Sequence, residues 1–90
     1  MLESDDRLVE FKETEHHFGT GIQQLWTFTN GYSASVVKFP GSYGYDKNQW
    51  ELAILDNNME LDYTTPITDD VVGYLSVSDV HDYLERIANL

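Results

Sequence analysis

Two groups of residues around histidines have spacings that could bind a metal ion. His16 and His17 are adjacent and lie close to two glutamates, while His81 and Glu85 are four residues apart. Adjacent histidines in an extended segment point to opposite faces and cannot easily share one ion. The second pair has ligand spacing on a helix, but zinc needs more ligands than two. Solvent exposure for the first group and pairing on a helix surface for the second are therefore the favoured interpretations.

Two groups of carboxylates could serve calcium binding or acid–base chemistry. The pattern Asp-x-Asn-x-Glu over residues 56–60 is similar to the start of a calcium loop. Leu61 stands where that loop needs glycine, and Ile67 stands where it needs a bidentate glutamate, so a hairpin turn explains the pattern better. Asp69 and Asp70 are adjacent carboxylates without a partner base, which usually indicates the start of a helix.

No arrangement of a nucleophile with a base stands out elsewhere in the sequence. There is no cysteine, no Gly-x-Ser-x-Gly motif and no glycine-rich phosphate loop. The absence of cysteine also excludes disulfides and thiolate metal sites. We therefore expect a binding protein rather than an enzyme, with no cofactor and no metal.

Acidity is the dominant feature of the composition. Sixteen acidic residues oppose five basic ones, and the formal net charge is −11. Nine of the acidic residues lie between residues 49 and 85, where there is no lysine or arginine. Such a surface repels nucleic-acid backbone, which disfavours direct DNA or RNA binding. It suits a basic protein partner, although solubility alone also explains it and is the more common reason for such charge.

The elements that would position these residues are organised around a predicted hairpin, LWTFT-NG-YSASVV. Asn-Gly is the strongest short-range signal for a two-residue type I′ turn. That turn would place Phe28 opposite Ser33 and Trp26 opposite Ser35. The second strand ends at Pro40-Gly41, and the loop that follows exposes Tyr43 and Tyr45.

The remaining periodicities predict further strands and one helix. Strands are expected over residues 8–12, 49–55 and 59–63, and a short helical turn over residues 68–73. Ser76 resembles the start of a capping box, and an apolar stripe at helical spacing predicts a helix over residues 77–89. The stripe consists of Val77, Val80, Leu84 and Ile87.

The predicted fold class is α+β. We expect an antiparallel β-meander of four strands, or five with residues 8–12, and one C-terminal helix packed across a face. Residues 1–90 would form a single domain, and residues 1–6 a disordered tail. No apolar run is close to the length of a membrane span, which is about 18 residues. The acidic N-terminus is unlike a signal peptide. A cytoplasmic protein without membrane contact is therefore expected.

Several phrases of the sequence resemble a group of small uncharacterised proteins of tailed bacteriophages and prophages. The phrases are NGYSASVV, SYGYDKNQWELAIL and LDYTTPITDDVVGYL, followed by a short acidic helix. The resemblance covers about Thr27 to Leu90. It implies a phage accessory protein made in a bacterial cytoplasm and acting through protein contacts.

These observations lead to two main hypotheses of function, with an enzyme that lacks obvious motifs as a third and least favoured one. The first is a non-enzymatic accessory protein that binds another protein, or itself through an open sheet face. Residues expected on that face are Leu25, Tyr32, Ala34, Val36 and Leu55. The alternative is an acidic mimic of DNA that inhibits a host nucleic-acid-binding or defence protein. The residues expected to contact a partner are Tyr43, Tyr45, Glu51, Asp56, Glu60, Asp62, Asp69 and Asp70.

Overall fold

The computed structural model describes residues 5–15, 20–68 and 70–90, and they form one antiparallel sheet with a helix across it. The strands follow one another across the sheet in chain order, so the predicted α+β meander is confirmed with five strands. The elements are β1 (Leu8–Glu15), β2 (Ile22–Phe28), β3 (Ser33–Lys38), β4 (Trp50–Leu55), β5 (Val72–Leu75) and α1 (Val77–Ala88).

The predicted hairpin joins β2 and β3, but its register differs by one residue from the prediction. Trp26 lies opposite Ala34, not Ser35. The loop has three residues, because the Phe28 N–H donates to the Tyr32 carbonyl at 2.9 Å and Gly31 alone in the loop has a positive φ, of 90°. This is the geometry of a type I turn followed by a left-handed glycine. A shift of one residue changes which side chains face each other across the strands, so the expected pairing of aromatic and hydroxyl side chains is wrong.

Helix α1 begins at a complete capping box. The Ser76 hydroxyl accepts from the Asp79 N–H, and the Asp79 carboxylate accepts from the Ser76 N–H, both at 3.1 Å. Val80, Leu84 and Ile87 are buried as predicted. Val77 is 60% exposed, because it lies on the first turn, outside the part of the helix that packs on the sheet.

The helix covers one face of the sheet, over β3, β4 and β5. Trp26, Phe28, Leu52 and Ile54 lie beneath it in a single core with its buried residues. Trp50, Leu52 and Ile54 share this face, as the alternation in β4 predicts.

The opposite face of the sheet holds mainly small side chains, most of them half-buried, while Ser33 and Val37 are buried. Leu25 and Leu55 lie there as expected, but Ala34 and Val36 do not. Both are fully buried under the helix, and Tyr32 also packs against that core. The error follows from the hairpin register, since neighbouring positions in a strand face opposite sides. The side chains of this open face are Gln23, Leu25, Thr27, Ser33, Ser35, Val37, Glu51, Ala53 and Leu55.

The strand predicted over residues 59–63 is wrong. Met59 has a positive φ of 63°, and the segment makes one isolated bridge, between Leu55 and Leu61. The helical turn predicted over residues 68–73 is also wrong at residues 68 and 70–73, which the structure describes, because Val72–Leu75 forms β5 along the edge of β4 that carries the Leu61 bridge. The local signals for a turn could not show that the chain returns to this edge after a loop.

Contacts from the hairpin and the N-terminal segment hold the C-terminal end of α1. The Asn30 side-chain amide donates to the Ile87 carbonyl at 2.9 Å, and its oxygen accepts from the Tyr32 N–H at 3.1 Å. Arg7 forms ion pairs of 2.7 Å with Asp5 and with Glu85. Of the predicted tail, residues 1–6, the structure describes Asp5 and Asp6.

Candidate protein-binding surface

The loop between β3 and β4 carries Tyr43 and Tyr45 and is held in place by its own hydrogen bonds. The backbone N–H and the hydroxyl of the buried Ser42 both donate to the Phe39 carbonyl, at 2.9 and 2.8 Å. The loop then forms a short 3-10 helix, Tyr45–Lys47. Tyr43 is 57% exposed and Tyr45 39%, so this ordered loop holds both side chains at the surface.

Strand β5 contains a bulge that exposes a third tyrosine. The register between β4 and β5 places two residues, Gly73 and Tyr74, opposite the single residue Glu51. Tyr74 has a φ of 59° and is 57% exposed. Glycine is the usual residue at a left-handed bulge position, and a bulky side chain there is an outlier. Bulges often redirect a side chain next to a functional site.

The loop packs against the bulge and brings Tyr43 next to Tyr74, with Tyr45 two residues further along the same loop. The Tyr74 N–H donates to the Tyr43 carbonyl at 3.2 Å. A Cβ atom on Gly73 would overlap Tyr43, and one on Gly44 would lie 3.0 Å from the backbone of Tyr74. Both glycines are therefore needed for this close approach. We call Tyr43, Tyr45 and Tyr74 the tyrosine surface.

A carboxylate is fixed beside this surface. The Glu51 side chain is half-buried, and its Oε1 accepts from the Tyr43 N–H at 3.1 Å. The structure thus brings together two of the predicted contact residues, Tyr43 and Glu51, and a third, Tyr45, lies in the same loop. The sequence reasoning missed Tyr74 because Gly73 was read as the end of a helical turn. An isolated glycine among β-forming residues, VVGYL, is also the signal of a bulge.

Three of the five basic side chains lie over aromatic rings. The Lys38 Nζ lies 4.5 Å from the ring centre of Trp50 and also donates to Asn48. The Lys47 Nζ lies 5.9 Å from the ring centre of Tyr74. Arg86 lies 5.2 Å from the ring centre of Tyr83. Ring faces bind cations within about 6 Å through their quadrupole, so the Tyr74 contact is at the outer limit.

The predicted contact residues Asp56, Glu60 and Asp62 lie beyond the other end of β4 and mainly shape a turn. The Asp56 carboxylate accepts from the backbone N–H groups of Asn58 and Glu60, at 2.8 and 3.1 Å. The Asp62 carboxylate accepts from the N–H and hydroxyl of Thr64, which lowers its pKa. Asp56 lies five positions after Glu51 along the extended chain, a distance of roughly 16 Å, so these carboxylates do not join the tyrosine surface.

An open cleft of about 360 Å³ lies between this turn and the β2–β3 hairpin. It is lined by Asn30, Gly31, Tyr32, Asp56, Asn57 and Asp62. Its two carboxylates are already used by local hydrogen bonds, and the Asn30 side chain is bound to the helix end. The polar residues that line the cleft therefore serve mainly to hold the turn and the helix end.

The other candidate residues are dispersed. The Asp70 carboxylate accepts from the Val71 N–H at 2.7 Å, while Asp69 lies outside the described residues. His16 and His17 also lie outside them. Glu85, expected to pair with His81, is bound by Arg7. Within residues 5–15, 20–68 and 70–90, no group of three metal-ligating side chains occurs.

Comparisons with known proteins identify no relative of this chain. In the described part of the chain, no helix has the length and apolar character needed to cross a membrane. The chain matches no protein-family model, no curated protein and no solved structure.

Proposed function

We propose that the protein is a non-enzymatic phage accessory protein that acts in the bacterial cytoplasm by binding another protein through its tyrosine surface. The observation that carries the proposal is Tyr74, an exposed aromatic residue at a bulge position with a φ of 59°. The left-handed conformation costs a non-glycine residue about 1–2 kcal/mol. A largely exposed ring returns little of this cost to the fold, which supports a role in contact with a partner.

The chemistry of the surface supports the same role. Tyrosine provides a large, rigid contact area that loses little conformational entropy on binding, and it is enriched at the centres of protein interfaces. The hydrogen bonds of Ser42 and the contact with β5 hold the loop before any partner arrives. A surface ordered in advance binds with a smaller entropic cost.

The test is affinity capture from the host bacterium with matched tyrosine variants. Tyr74→Asn removes the ring and keeps a residue that tolerates positive φ. Tyr63→Asn makes the same change at another exposed tyrosine, which lies outside the tyrosine surface. A protein captured by the wild type and by Tyr63→Asn, but not by Tyr74→Asn, would support the proposal. Capture that is equal for all three would refute it.

Distribution of charge favours a second candidate function, mimicry of DNA. Nine acidic residues lie between residues 49 and 85, and Glu85 is the one among those described that forms an ion pair. Unpaired carboxylates suit the basic groove of a nucleic-acid enzyme or repressor. Capture of such a protein that is lost at high salt and does not depend on Tyr74 would favour mimicry, since salt screens exposed charges.

Self-association through the open sheet face is a separate prediction. Leu25 and Leu55 are half-buried there, among small side chains. Light scattering at increasing protein concentration tests it, and a strict monomer at high concentration would count against it.

A further inference from the structure

The aromatic rings of this protein act as binding sites for its own cations. Lys38, Lys47 and Arg86 lie over rings, although sixteen acidic residues compete for five basic ones. The other two basic residues, Arg7 and Lys12, form ion pairs. An exposed ring in this strongly negative molecule is therefore a favourable position for a positive group.

Two rings of the tyrosine surface remain open to a cation from elsewhere. Among the described residues, no cation lies over Tyr43 or Tyr45, and Tyr74 holds Lys47 only at 5.9 Å. The Glu51 carboxylate is fixed beside Tyr43, where its Oε1 accepts from the Tyr43 N–H. Asp46 adds a further negative charge within the loop. Rings and carboxylates side by side suit a group that can both stack and form ion pairs.

Arginine fits this combination better than lysine does. The guanidinium group is planar, stacks on aromatic faces, donates to carboxylates in a fork and is less strongly hydrated than an ammonium group. Resting on the proposed function, we infer that the tyrosine surface binds arginine side chains of a segment of a basic protein, with guanidinium groups on the rings of Tyr43, Tyr45 and Tyr74. The net charge of −11 would speed the approach of such a partner.

Lys47 occupies the place that an incoming arginine would take on Tyr74. Its contact with the ring is long and its side chain belongs to an exposed loop residue. Binding of arginine at this ring therefore displaces Lys47. The substitution Lys47→Gln removes the competing charge and leaves intact the backbone bond from residue 47 to the Gly44 carbonyl. We expect arginine to bind several-fold more tightly to this variant.

The experiment is a titration of the full chain with a short peptide of three arginines separated by glycine and serine. The signals of the tyrosine rings are followed by NMR. A second peptide with citrulline at the three positions keeps the shape and hydrogen-bonding groups but removes the charge. The expected result is a shift of the Tyr43, Tyr45 and Tyr74 ring signals with the arginine peptide, and binding about tenfold weaker with citrulline.

Matched variants separate contact with the rings from general charge attraction. Tyr74→Asn is expected to weaken binding of the arginine peptide about tenfold, while Tyr63→Asn leaves it unchanged. An equal effect of the two substitutions, or equal binding of the arginine and citrulline peptides, would overturn the inference. If host-protein capture depends on Tyr74 but the arginine peptide does not bind, the proposed function stands and this inference fails. If capture itself does not depend on Tyr74, the proposed function fails.

Discussion

Asn30 is expected to connect the β2–β3 hairpin to the end of helix α1, and its replacement tests this connection. Its side-chain amide donates to the Ile87 carbonyl at 2.9 Å and more weakly to the Ala88 and Leu90 carbonyls, both at 3.4 Å. Its oxygen accepts from the Tyr32 N–H at 3.1 Å. The last carbonyls of a helix have no partner within the helix, so the amide satisfies groups that would otherwise depend on water.

The magnitude follows from the two shorter bonds. Each is worth about 1 kcal/mol, so Asn30→Ala should lower the free energy of unfolding by about 2 kcal/mol. For a domain of this size, that corresponds to a fall in Tm of roughly 8–16 °C. Asn58→Ala is the control, because the bond at that position comes from the backbone N–H and survives the substitution. The control should change stability by less than about 0.5 kcal/mol.

A second substitution distinguishes the bond to the helix from the bond within the turn. Asn30→Asp keeps an oxygen for the Tyr32 N–H but replaces the amide donor with a carboxylate facing the helix carbonyls. A negative charge at a helix C-terminus is unfavourable by about 0.3–1 kcal/mol. Urea unfolding should therefore show Asn30→Asp to be at least as destabilised as Asn30→Ala. Stability equal to the wild type would refute the role of Asn30 at the helix end.

Three further predictions concern strain, packing and pH. Tyr74→Gly should leave the free energy of unfolding within about 0.5 kcal/mol of the wild type, because relief of about 1–2 kcal/mol of backbone strain offsets the entropic cost of glycine. Tyr63→Gly relieves no such strain, so its free energy of unfolding should fall by about 1 kcal/mol in the same urea titration. Leu84→Ala opens a cavity at a fully buried position and should cost about 2–5 kcal/mol, whereas Val77→Ala, at an exposed position, should cost less than about 0.5 kcal/mol. The hydrogen bonds from Arg7 lower the pKa of Asp5 from 3.8 to about 2. The contribution of Asp5 to stability is therefore present above pH 4 and is lost as the pH falls toward 2. Asp5→Asn should remove this part of the acid dependence in thermal unfolding, and an unchanged pH profile would contradict the prediction.

The sequence could predict the elements whose signals are local. The capping box at Ser76, the apolar stripe of α1 and the alternation in β4 act within a few residues, and each matches the structure, apart from the exposed Val77. The Asn-Gly pair likewise marks the hairpin. The α+β meander follows from these elements, because short loops favour pairing of neighbours and the stripe of the helix needs a sheet face to cover it.

Tertiary structure decided the register, the last strand and the candidate binding surface. Asn30 satisfies the end of a helix 57 residues further along the chain, and no local rule could show that contact. Beyond the single bridge at Leu61, the edge of β4 is open, and strand β5 forms along it. Pairing with this edge outweighs the local signals that predicted a helical turn. Tyr74 joins Tyr43 only because Gly73 and Gly44 permit close approach of two segments that are distant in sequence. Contacts of this kind depend on the assembled sheet, whereas caps and apolar periodicities depend on nearest neighbours alone.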